Sequence, residues 1–320
     1  MNKIAVVKFG GTSVADEKAR ACAMARINEY RSAGYALAVV VSAMGRLGAP
    51  YATDTLLSLV RGSDTLPETR DMLMSCGETI SACVFADALC QNGIPAVPMN
   101  GMTAGIQTDD AHLSAEITSM DTARVLSVLH AGKVAVITGF QGVSVSGAVT
   151  TLGRGGSDTS AVCIAGYLKA DETVIYTDVP GVAECDPRIV PQARFLEEID
   201  AHDMLSLARL GAGVVHPRAI EAGIRFRIPV WVRTTFENTP GTKIHQMKKK
   251  PEGFIGIAVK HAGEEDTLGM VYRSAALILK EVEAMLPGHS VTLVGDILSA
   301  TMRKDESAAA AKKLYDRFAK

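Results

Sequence analysis

Near its start the chain reads IAVVKFGGTSVAD, in which an apolar stretch is followed directly by a lysine and two glycines. The apolar residues Ile4 to Val7 predict a strand that is buried on both faces, as in a parallel sheet. Lys8 interrupts this run just before Gly10 and Gly11. A lysine is rarely buried unless an anionic group meets it. The stretch therefore predicts a buried strand that ends at an anion.

Most of the chain alternates apolar strands with helical stretches. Strands are predicted at residues 4–9, 36–43, 95–99, 134–138, 173–177 and 229–232, and helices at 16–33, 53–60 and 69–91. This alternation predicts an α/β fold in which a mostly parallel open sheet lies between layers of helices.

The character of the sequence changes after residue 245. Residues 246–252 (QMKKKPE) are charged and contain a proline, which predicts a linker. Residues 253–320 combine apolar stretches with helical ones and predict a small α+β module. We therefore expect a larger α/β domain over residues 1–245, followed by the linker and this module.

Length and charge narrow the class of protein. With 320 residues and 48% hydrophobic content, the chain can bury a large core and divide into two units. Its 33 basic and 35 acidic residues give a formal net charge of −2, which favours neither a nucleic-acid nor a membrane-surface partner. No apolar run approaches the ~18 residues of a membrane span, and IAVV is too short for a signal peptide.

Six scattered cysteines without a CxxC pair fit a reducing compartment, so we expect a cytoplasmic protein. Cys76, Cys83 and Cys90 lie seven residues apart and share one face of a predicted helix. Core packing is the expected role of this face, because metal ligands usually lie closer together.

The first glycine segment, KFGGTS, suits a phosphate. Ligands of open parallel sheets bind at the carboxyl ends of the strands, where Lys8 lies. Gly10 and Gly11 allow the backbone to approach an oxyanion closely. Ser13 or Asp16 can cap the following helix, whose N-terminus favours negative charge. A surface lysine before an ordinary turn is the alternative, and the spacing of a P-loop is absent.

A second glycine segment, GRGGSDTS, follows Thr151-Leu152 and precedes the helical AVCIAGYL. Arg154 lies among three glycines and can bind a carboxylate or phosphate through two hydrogen bonds. A capped helix with a flexible lead-in would explain Asp158 and Ser160, but it does not explain an arginine between glycines.

A third segment, YTDVPGVAECDPR, begins at the end of a predicted strand. Thr177 and Asp178 should therefore lie at the same edge of the sheet as Lys8. Pro180-Gly181 predicts a tight turn, and Arg188 places a positive charge at the end of the segment. Taken alone, this segment indicates only a turn.

Together the three segments, with VVVSAMG and CGE, closely resemble the aspartokinases of the amino-acid kinase family. The resemblance covers roughly residues 3–245, and KFGGTSVAD and TTLGRGGSDTSA are specific to it. It implies the amino-acid kinase fold and transfer of the ATP γ-phosphate to the side-chain carboxylate of L-aspartate, which gives 4-phospho-L-aspartate. This reaction is the first step of the aspartate pathway to lysine, threonine and methionine. The implied cofactors are ATP and Mg²⁺.

The resemblance also implies roles for individual residues. Lys8 and Asp158 would be catalytic, with Asp158 assisting the substrate or orienting Lys8. The residues implied for the nucleotide are Lys8, Gly10, Gly11, Ser13, Thr177, Asp178, Arg188, Gly213 and Val214. Those implied for aspartate are Thr53, Glu78, Arg154, Gly155, Gly156 and Ser157. Arg154 would bind the α-carboxylate and Glu78 the α-ammonium, and no side chain is implied as a metal ligand.

Two positions differ from the pattern of the family. Ala183 stands where aspartokinases often have a tyrosine, and Gly213 stands where the usual GAKVxHP has a lysine. We expect the nucleotide to lack these two side-chain contacts, although the backbone of Gly213 can still meet the base. His216 in the same segment is expected to be structural.

The C-terminal residues resemble the family less closely. Aspartokinases typically carry two ACT domains, which bind amino-acid effectors. Residues 253–320 have room for about one, and SVTLVGDIL resembles a late ACT strand. We expect a degenerate ACT-like module that packs on the kinase domain or on a second subunit. The expected assembly is a homodimer that lysine and threonine inhibit weakly or not at all.

Two other functions remain open from the sequence. One is a kinase of the same fold that acts on another small acid, such as glutamate. The other is an inactive regulatory subunit or amino-acid sensor. Arg154 and Glu78 favour an α-amino acid such as aspartate, and the presence of Lys8, Asp158 and Asp178 favours an active enzyme.

Overall fold

The computed structural model describes residues 3–60, Gly62 and 64–319. Its central feature is an eight-stranded sheet in the order β10-β12-β11-β9-β1-β2-β6-β3. These strands are β1 (Ile4–Phe9), β2 (Ala36–Val41), β3 (Ala96–Met99), β6 (Val134–Thr138), β9 (Glu172–Thr177), β10 (Glu198–Asp200), β11 (Val230–Thr234) and β12 (Thr242–His245). All neighbouring pairs are parallel except β11 and β12. The predicted mostly parallel α/β sheet is thus confirmed.

Helices cover both faces of this sheet. They are α1 (Glu17–Ser32), α2 (Thr53–Leu57), α3 (Pro67–Gln91), α4 (Ala123–His130), α5 (Gly156–Leu168), α6 (Ala201–Arg209) and α7 (Pro217–Phe226). One core joins α4, α5, α6 and α7 to the face that carries Ile4 and Val6. A second core joins α1 and α3 to the face that carries Ala5 and Val7. Alternate residues of β1 therefore enter different cores, which explains why its whole run is apolar.

A smaller sheet lies beside the carboxyl end of β6. It contains β4 (Ile106–Thr108), β5 (Ile117–Met120), β7 (Gln141–Ser144) and β8 (Val149–Thr151), in the order β5-β4-β7-β8. These strands were not predicted from the sequence, because they are only three or four residues long and carry more polar than apolar side chains. Their function is positional, since β8 leads directly into GRGGSDTS.

Among the described residues, α3 is the helix whose length and apolar composition would suit a membrane span. Half of that apolar stretch is buried inside the protein, and the helix as a whole carries two buried acids, Asp71 and Glu78. This is the pattern of a core helix. The prediction for its cysteines was wrong, because Cys76, Cys83 and Cys90 are all exposed. A seven-residue spacing places side chains on one face of a helix without deciding which face is buried.

The C-terminal part forms a second, antiparallel sheet. Its strands are β13 (Gly253–Ala262), β14 (Glu265–Arg273), β15 (Val291–Val294) and β16 (Ile297–Arg303), in the order β13-β14-β16-β15, with helices α8 (Leu279–Met285) and α9 (Lys304–Phe318). We call residues 253–319 the C-terminal module. Residues 246–252, which precede it, contain no helix or strand, and Lys250 anchors them to Asp200 at 2.8 Å.

The core of the C-terminal module includes residues from outside it. Cys185, Val190 and Ala193 belong to the loop that follows β9, yet they pack in one cluster with Leu298 and Leu314. The loop backbone also reaches the sheet, since the amide of Ile257 donates to the carbonyl of Glu184 at 2.7 Å. The C-terminal module thus shares its core with the loop that leaves the edge of the central sheet.

A buried carboxylate reinforces this junction. Glu184 is 5% exposed and accepts hydrogen bonds from the Tyr315 hydroxyl at 2.7 Å and from the Arg194 guanidinium at 2.7 Å. The amide of Arg194 in turn donates to the Tyr315 oxygen at 3.3 Å. Because a buried carboxylate is costly without donors, the Tyr315 hydroxyl should stabilise the junction.

We expect Tyr315→Phe to lower the free energy of unfolding by about 1–2 kcal/mol, because Glu184 would lose one of its donors. Urea unfolding followed by the fluorescence of the single tryptophan, Trp231, measures this change. Tyr272→Phe is the matched control, since the Tyr272 ring packs against Phe318. It should change stability by less than about 0.5 kcal/mol. Equal stability of the two variants would contradict a stabilising role for the Tyr315 hydroxyl.

Candidate active site

Lys8 lies at the carboxyl end of β1, between β2 and β9, and is 9% exposed. Its side chain shares the face of Ile4 and Val6, which is the face covered by α5. There the Lys8 Nζ lies 2.6 Å from an oxygen of Asp158, in the first turn of α5. The anion that the sequence required at Lys8 is therefore Asp158, and the two residues predicted to be catalytic lie together.

The first glycine segment curves over this ion pair. A Cβ at Gly11 would lie 2.6 Å from the carbonyl oxygens of Ala43 and Gly45, so the loop after β2 excludes a side chain there. A Cβ at Gly10 would lie 3.6 Å from the Lys8 Nζ, which places the Gly10 backbone beside the ammonium group. The backbone around Gly10 and the cation of Lys8 thus line one space.

Ser13 anchors this segment to the residue that follows β11. Its side chain is fully buried, and its hydroxyl lies 2.7 Å from the hydroxyl of Thr235. Asp16 caps α1 instead, because its carboxylate accepts from the amide of Ala19. Of the two capping candidates in the sequence, Asp16 is the one used, and the Ser13 hydroxyl is turned towards β11.

The second glycine segment connects β8 to α5. Gly155 has a φ of 68°, and a Cβ there would overlap the His216 ring. Gly156 is buried against Phe140, while Ser157 packs on the backbone of Gly139. Arg154 at the tip is exposed, and no ion pair involves it among the residues that the structure describes. The segment is thus fixed on both sides, with its arginine free to meet an anion.

Glu78 enters the site from α3 and is 2% exposed. One carboxylate oxygen accepts from the amide of Ala43 at 3.1 Å, while the other is buried without a hydrogen-bond partner. Burial raises the pKa of Glu78 to about 8, although the Ala43 amide and a hydrogen bond with Thr53 act in the opposite direction. Thr53 and Glu78, both predicted to bind substrate, therefore lie near each other. An added cation would favour the ionised form of Glu78.

The third segment carries polar groups at the end of β9. The Thr177 hydroxyl donates to Asp178 at 3.1 Å, and the Asp178 carboxylate pairs with Arg46 at 2.7 Å. Arg188 points into solvent with 90% of its side chain exposed, and it pairs with Asp186 at 2.6 Å. This ion pair lowers the pKa of Asp186. Sequence reasoning missed Arg46, although its position just after the strand of VVVSAMG was a usable signal.

Residues 211–217 complete the edge between α6 and α7. Gly213 is exposed, and the nearest atom to a Cβ placed there would be 3.9 Å away, so the backbone leaves room for a side chain. Val214 is half-buried. His216 caps α7 by accepting from the amide of Arg218 at 3.4 Å, and burial lowers its pKa. These contacts agree with the structural role expected for His216.

Arg218 is a second residue that sequence reasoning missed. Its guanidinium donates to the carbonyl of Leu152 and, at 2.6 Å, to the carbonyl of Ala115. It thereby joins the start of α7 to the second glycine segment. Only its place directly after HP in the sequence could have indicated this role.

This edge of the sheet can recognise a ligand that carries both signs of charge. Lys8, the amides near Gly10 and Arg154 favour anionic groups, as in a phosphate or a carboxylate. Glu78 offers a buried acceptor that still lacks a donor. The arrangement suits the transfer of a phosphoryl group to a small molecule that also carries an ammonium group.

Comparison with known proteins supports this description. The model of the amino acid kinase family matches residues 3–234, which include the central sheet up to β11 and all three predicted site segments. Aspartokinase 1 of Bacillus subtilis is 46% identical over 244 residues, which are 76% of this chain and 60% of that protein. The aspartokinase of Pseudomonas aeruginosa is 42% identical over 241 residues, 75% of this chain and 57% of that protein. The chain spans about three-fifths of the length of these curated relatives.

Solved structures share the fold. The aspartate kinase from Synechocystis is 34% identical, with a TM-score of 0.68 over 96% of this chain and 54% of that chain. Aspartokinase III of E. coli, in complex with aspartate and ADP, has a TM-score of 0.83 at 20% identity, over 99% of this chain and 100% of that one. At that identity the likeness shows the fold alone. On the match over residues 3–234 and the shared fold, the chain belongs to the amino acid kinase family.

Proposed function

We propose that the protein is an aspartate kinase, which transfers the γ-phosphoryl group of ATP to the side-chain carboxylate of L-aspartate and forms 4-phospho-L-aspartate. One observation carries this proposal: the Lys8–Asp158 pair lies at the same edge of the sheet as Glu78, a buried acid with one oxygen unpartnered. The curated relatives that cover most of the chain are named aspartokinases, which supports the same substrate.

The chemistry requires no general base. The nucleophile is a carboxylate and is already ionised, so catalysis depends on positioning and on neutralising charge. Lys8 and the amides of Gly10 and Gly11 would stabilise the γ-phosphoryl group as its charge redistributes. Asp158 would keep the Lys8 ammonium aimed at that group.

Two opposite charges would select the amino acid. Arg154 would bind the α-carboxylate through paired hydrogen bonds, and Gly155, Gly156 and Ser157 would line that side of the pocket. Glu78 would accept a hydrogen bond from the α-ammonium, with Thr53 holding the Glu78 carboxylate in place. The side-chain carboxylate of aspartate would then extend towards Lys8.

The nucleotide would lie along the carboxyl end of β9. Its proposed contacts are Thr177, Asp178, Arg188, Gly213 and Val214, together with the first glycine segment. Mg²⁺ would neutralise the phosphates and supply the chemistry of a Lewis acid. No cluster of three or more possible metal-ligating side chains occurs among the described residues. Mg²⁺ usually keeps several waters and few protein ligands, so it would enter the site bound to the phosphates of the nucleotide.

We also propose that the reaction takes place in the cytoplasm, where ATP and free aspartate are available. The six free cysteines support a reducing compartment. The product is an acyl phosphate, which is prone to hydrolysis. The next enzyme must therefore belong to the reactions that reduce or otherwise consume an activated carboxyl group.

The direct test is an ATP-dependent acyl-hydroxamate assay with aspartate, with glutamate and without an acceptor. We expect activity with aspartate and little with glutamate. Lys8→Ala should lower turnover by at least about 100-fold, because it removes a preorganised charge from the transferred group. Lys18→Ala, which changes an exposed lysine of α1, is the matched control. A preference for glutamate, or no activity with either acid, would contradict the proposal.

A second test uses the titration of Glu78. With a pKa of about 8, Glu78 holds a proton in the folded, ligand-free protein that it has lost in the unfolded chain above about pH 5. The folded state then binds more protons, so stability contributed by this group falls as pH rises towards 8. We expect Glu78→Gln to flatten this part of the stability profile.

Aspartate binding gives the same test a second measurement. The α-ammonium should drive the proton off Glu78, so binding near pH 7 should release protons. Calorimetry in two buffers of different ionisation enthalpy measures that release, which should disappear in Glu78→Gln. The same release from both proteins would place the ammonium elsewhere.

We further propose that the protein is a homodimer formed through the C-terminal module. Strand β15 lies at the edge of its sheet, and its residue Val294 is 66% exposed. An exposed edge strand can pair with the same strand of a second copy. Pairing around a two-fold axis would then continue the sheet from one subunit into the other.

Light scattering after size exclusion tests the dimer. The unmodified protein should show twice the mass of one chain, and Val294→Lys should shift it towards the monomer by placing charges at the edge. Val145→Lys changes an even more exposed valine, in the smaller sheet region, and should remain dimeric. A monomeric unmodified protein, or an unchanged Val294→Lys dimer, would argue against this interface.

A further inference from the structure

Asp71 is a wholly buried carboxylate that the proposed reaction does not use directly. It lies on α3, and its oxygens accept from the amide of Leu113 at 3.2 Å, from the hydroxyl of Thr151 and from the His112 Nδ1 at 2.6 Å. These donors come from the loop between β4 and β5 and from the end of β8. One carboxylate therefore joins three separate elements of the chain.

Asp71 and Glu78 occupy the same face of α3. Their seven-residue separation is close to two helical turns, or about 10 Å along the axis. Both side chains are buried, and between them the backbone carbonyl of Ser75 accepts a hydrogen bond from the side-chain amide of Gln141 at 2.9 Å. This face of α3 thus holds the smaller sheet at a fixed distance from Glu78.

Leu113 links Asp71 to the second glycine segment. It has a φ of 65°, a left-handed conformation that is unfavourable for a leucine. Its amide donates to Asp71, and its carbonyl oxygen lies 2.8 Å from the position that a Cβ on Gly153 would occupy. Gly153 itself has a φ of 72° and directly precedes Arg154. The unfavourable backbone of Leu113 therefore forms the surface against which Gly153 rests.

We propose that Asp71 is a positioning residue that sets the distance between Glu78 and Arg154. This inference rests on the proposed function for the identity of the substrate, but the contacts that carry it do not depend on that function. Asp71 fixes the position of Glu78, because both residues belong to α3. It fixes the position of Arg154 through Leu113 and Thr151, which hold the second glycine segment.

The second glycine segment has another, independent anchor. Arg218 holds the carbonyls of Leu152 and Ala115 from the side of α7. Weaker hydrogen bonds at Asp71 should therefore make the position of Arg154 less well defined without unfolding the segment. Asp71→Asn keeps the size of the side chain and one acceptor oxygen, so it is the main variant.

Steady-state kinetics provide the first measurement. Asp71→Asn should raise the KM for aspartate about tenfold, because small displacements of a substrate clamp are costly, and leave the KM for ATP within about twofold. Asp87→Asn changes an exposed aspartate of the same helix and should leave both values unchanged. A parallel rise in both KM values, or no change in either, would overturn the positioning role.

Rescue provides the second measurement. Leu113→Gly removes the cost of the left-handed conformation, since glycine adopts it freely. Combined with Asp71→Asn, it should recover part of the loss in aspartate KM. A combination that is as impaired as the sum of the two single changes would show that Leu113 does not transmit the effect.

Hydrogen exchange tests the same contacts without any substrate. In Asp71→Asn the amides of residues 113–115 and 152–156 should exchange faster, while those of β1 and β9 should keep their protection. Unchanged exchange at residues 113–115 would overturn the inference. If the unmodified protein showed no activity with aspartate, the proposed function would fail, and the exchange data would still decide the role of Asp71.

Discussion

The ion pair between Lys8 and Asp158 is the contact on which the arrangement of the site depends. It joins the carboxyl end of a central strand to the first turn of α5, and both partners are largely shielded from water. Two charges in such a place are costly to desolvate, and apolar residues of similar volume could often replace them without loss of stability. The helix N-terminus favours the carboxylate, and the carboxylate in turn holds the ammonium at the edge of the sheet. The pair is therefore best explained by what it presents to a ligand.

The acids of α3 are buried in two different ways. The oxygens of Asp71 are supplied with donors from the protein itself, so this group serves the architecture. Glu78 has one oxygen supplied by the Ala43 amide and one left without a partner. Burial without full compensation is the reason that its pKa is raised. One face of α3 thus carries both an acid whose hydrogen bonds are all made within the protein, Asp71, and an acid with an oxygen available to a ligand, Glu78.

The sequence predicted those parts of the molecule whose signal is local. Buried strands such as β1 are uninterrupted apolar runs, and the glycines around Arg154 mark a segment where the backbone must turn tightly. The short strands β4, β5, β7 and β8 have too few residues for a period to be seen. Arg218 and Asp71 act on carbonyls, amides and hydroxyls more than 40 positions away, and such partners leave no pattern in the neighbouring residues. The exposed face of Cys83 was mispredicted because periodicity identifies a face but not its surroundings.

The loop after β9 gives three side chains to the core of the C-terminal module, and this has a consequence for how the protein can be divided. The boundary at residues 246–252 separates the chain in sequence, but the packing crosses it. A fragment that ends before residue 253 would expose Cys185, Val190 and Ala193 to water at the same edge that holds Thr177 and Asp178. A graft of the C-terminal module onto another sheet would lack part of its own interior. The unit that can be exchanged by recombination or in protein design is therefore the module together with residues 182–195. These two stretches of chain share one core and would have to be transferred together.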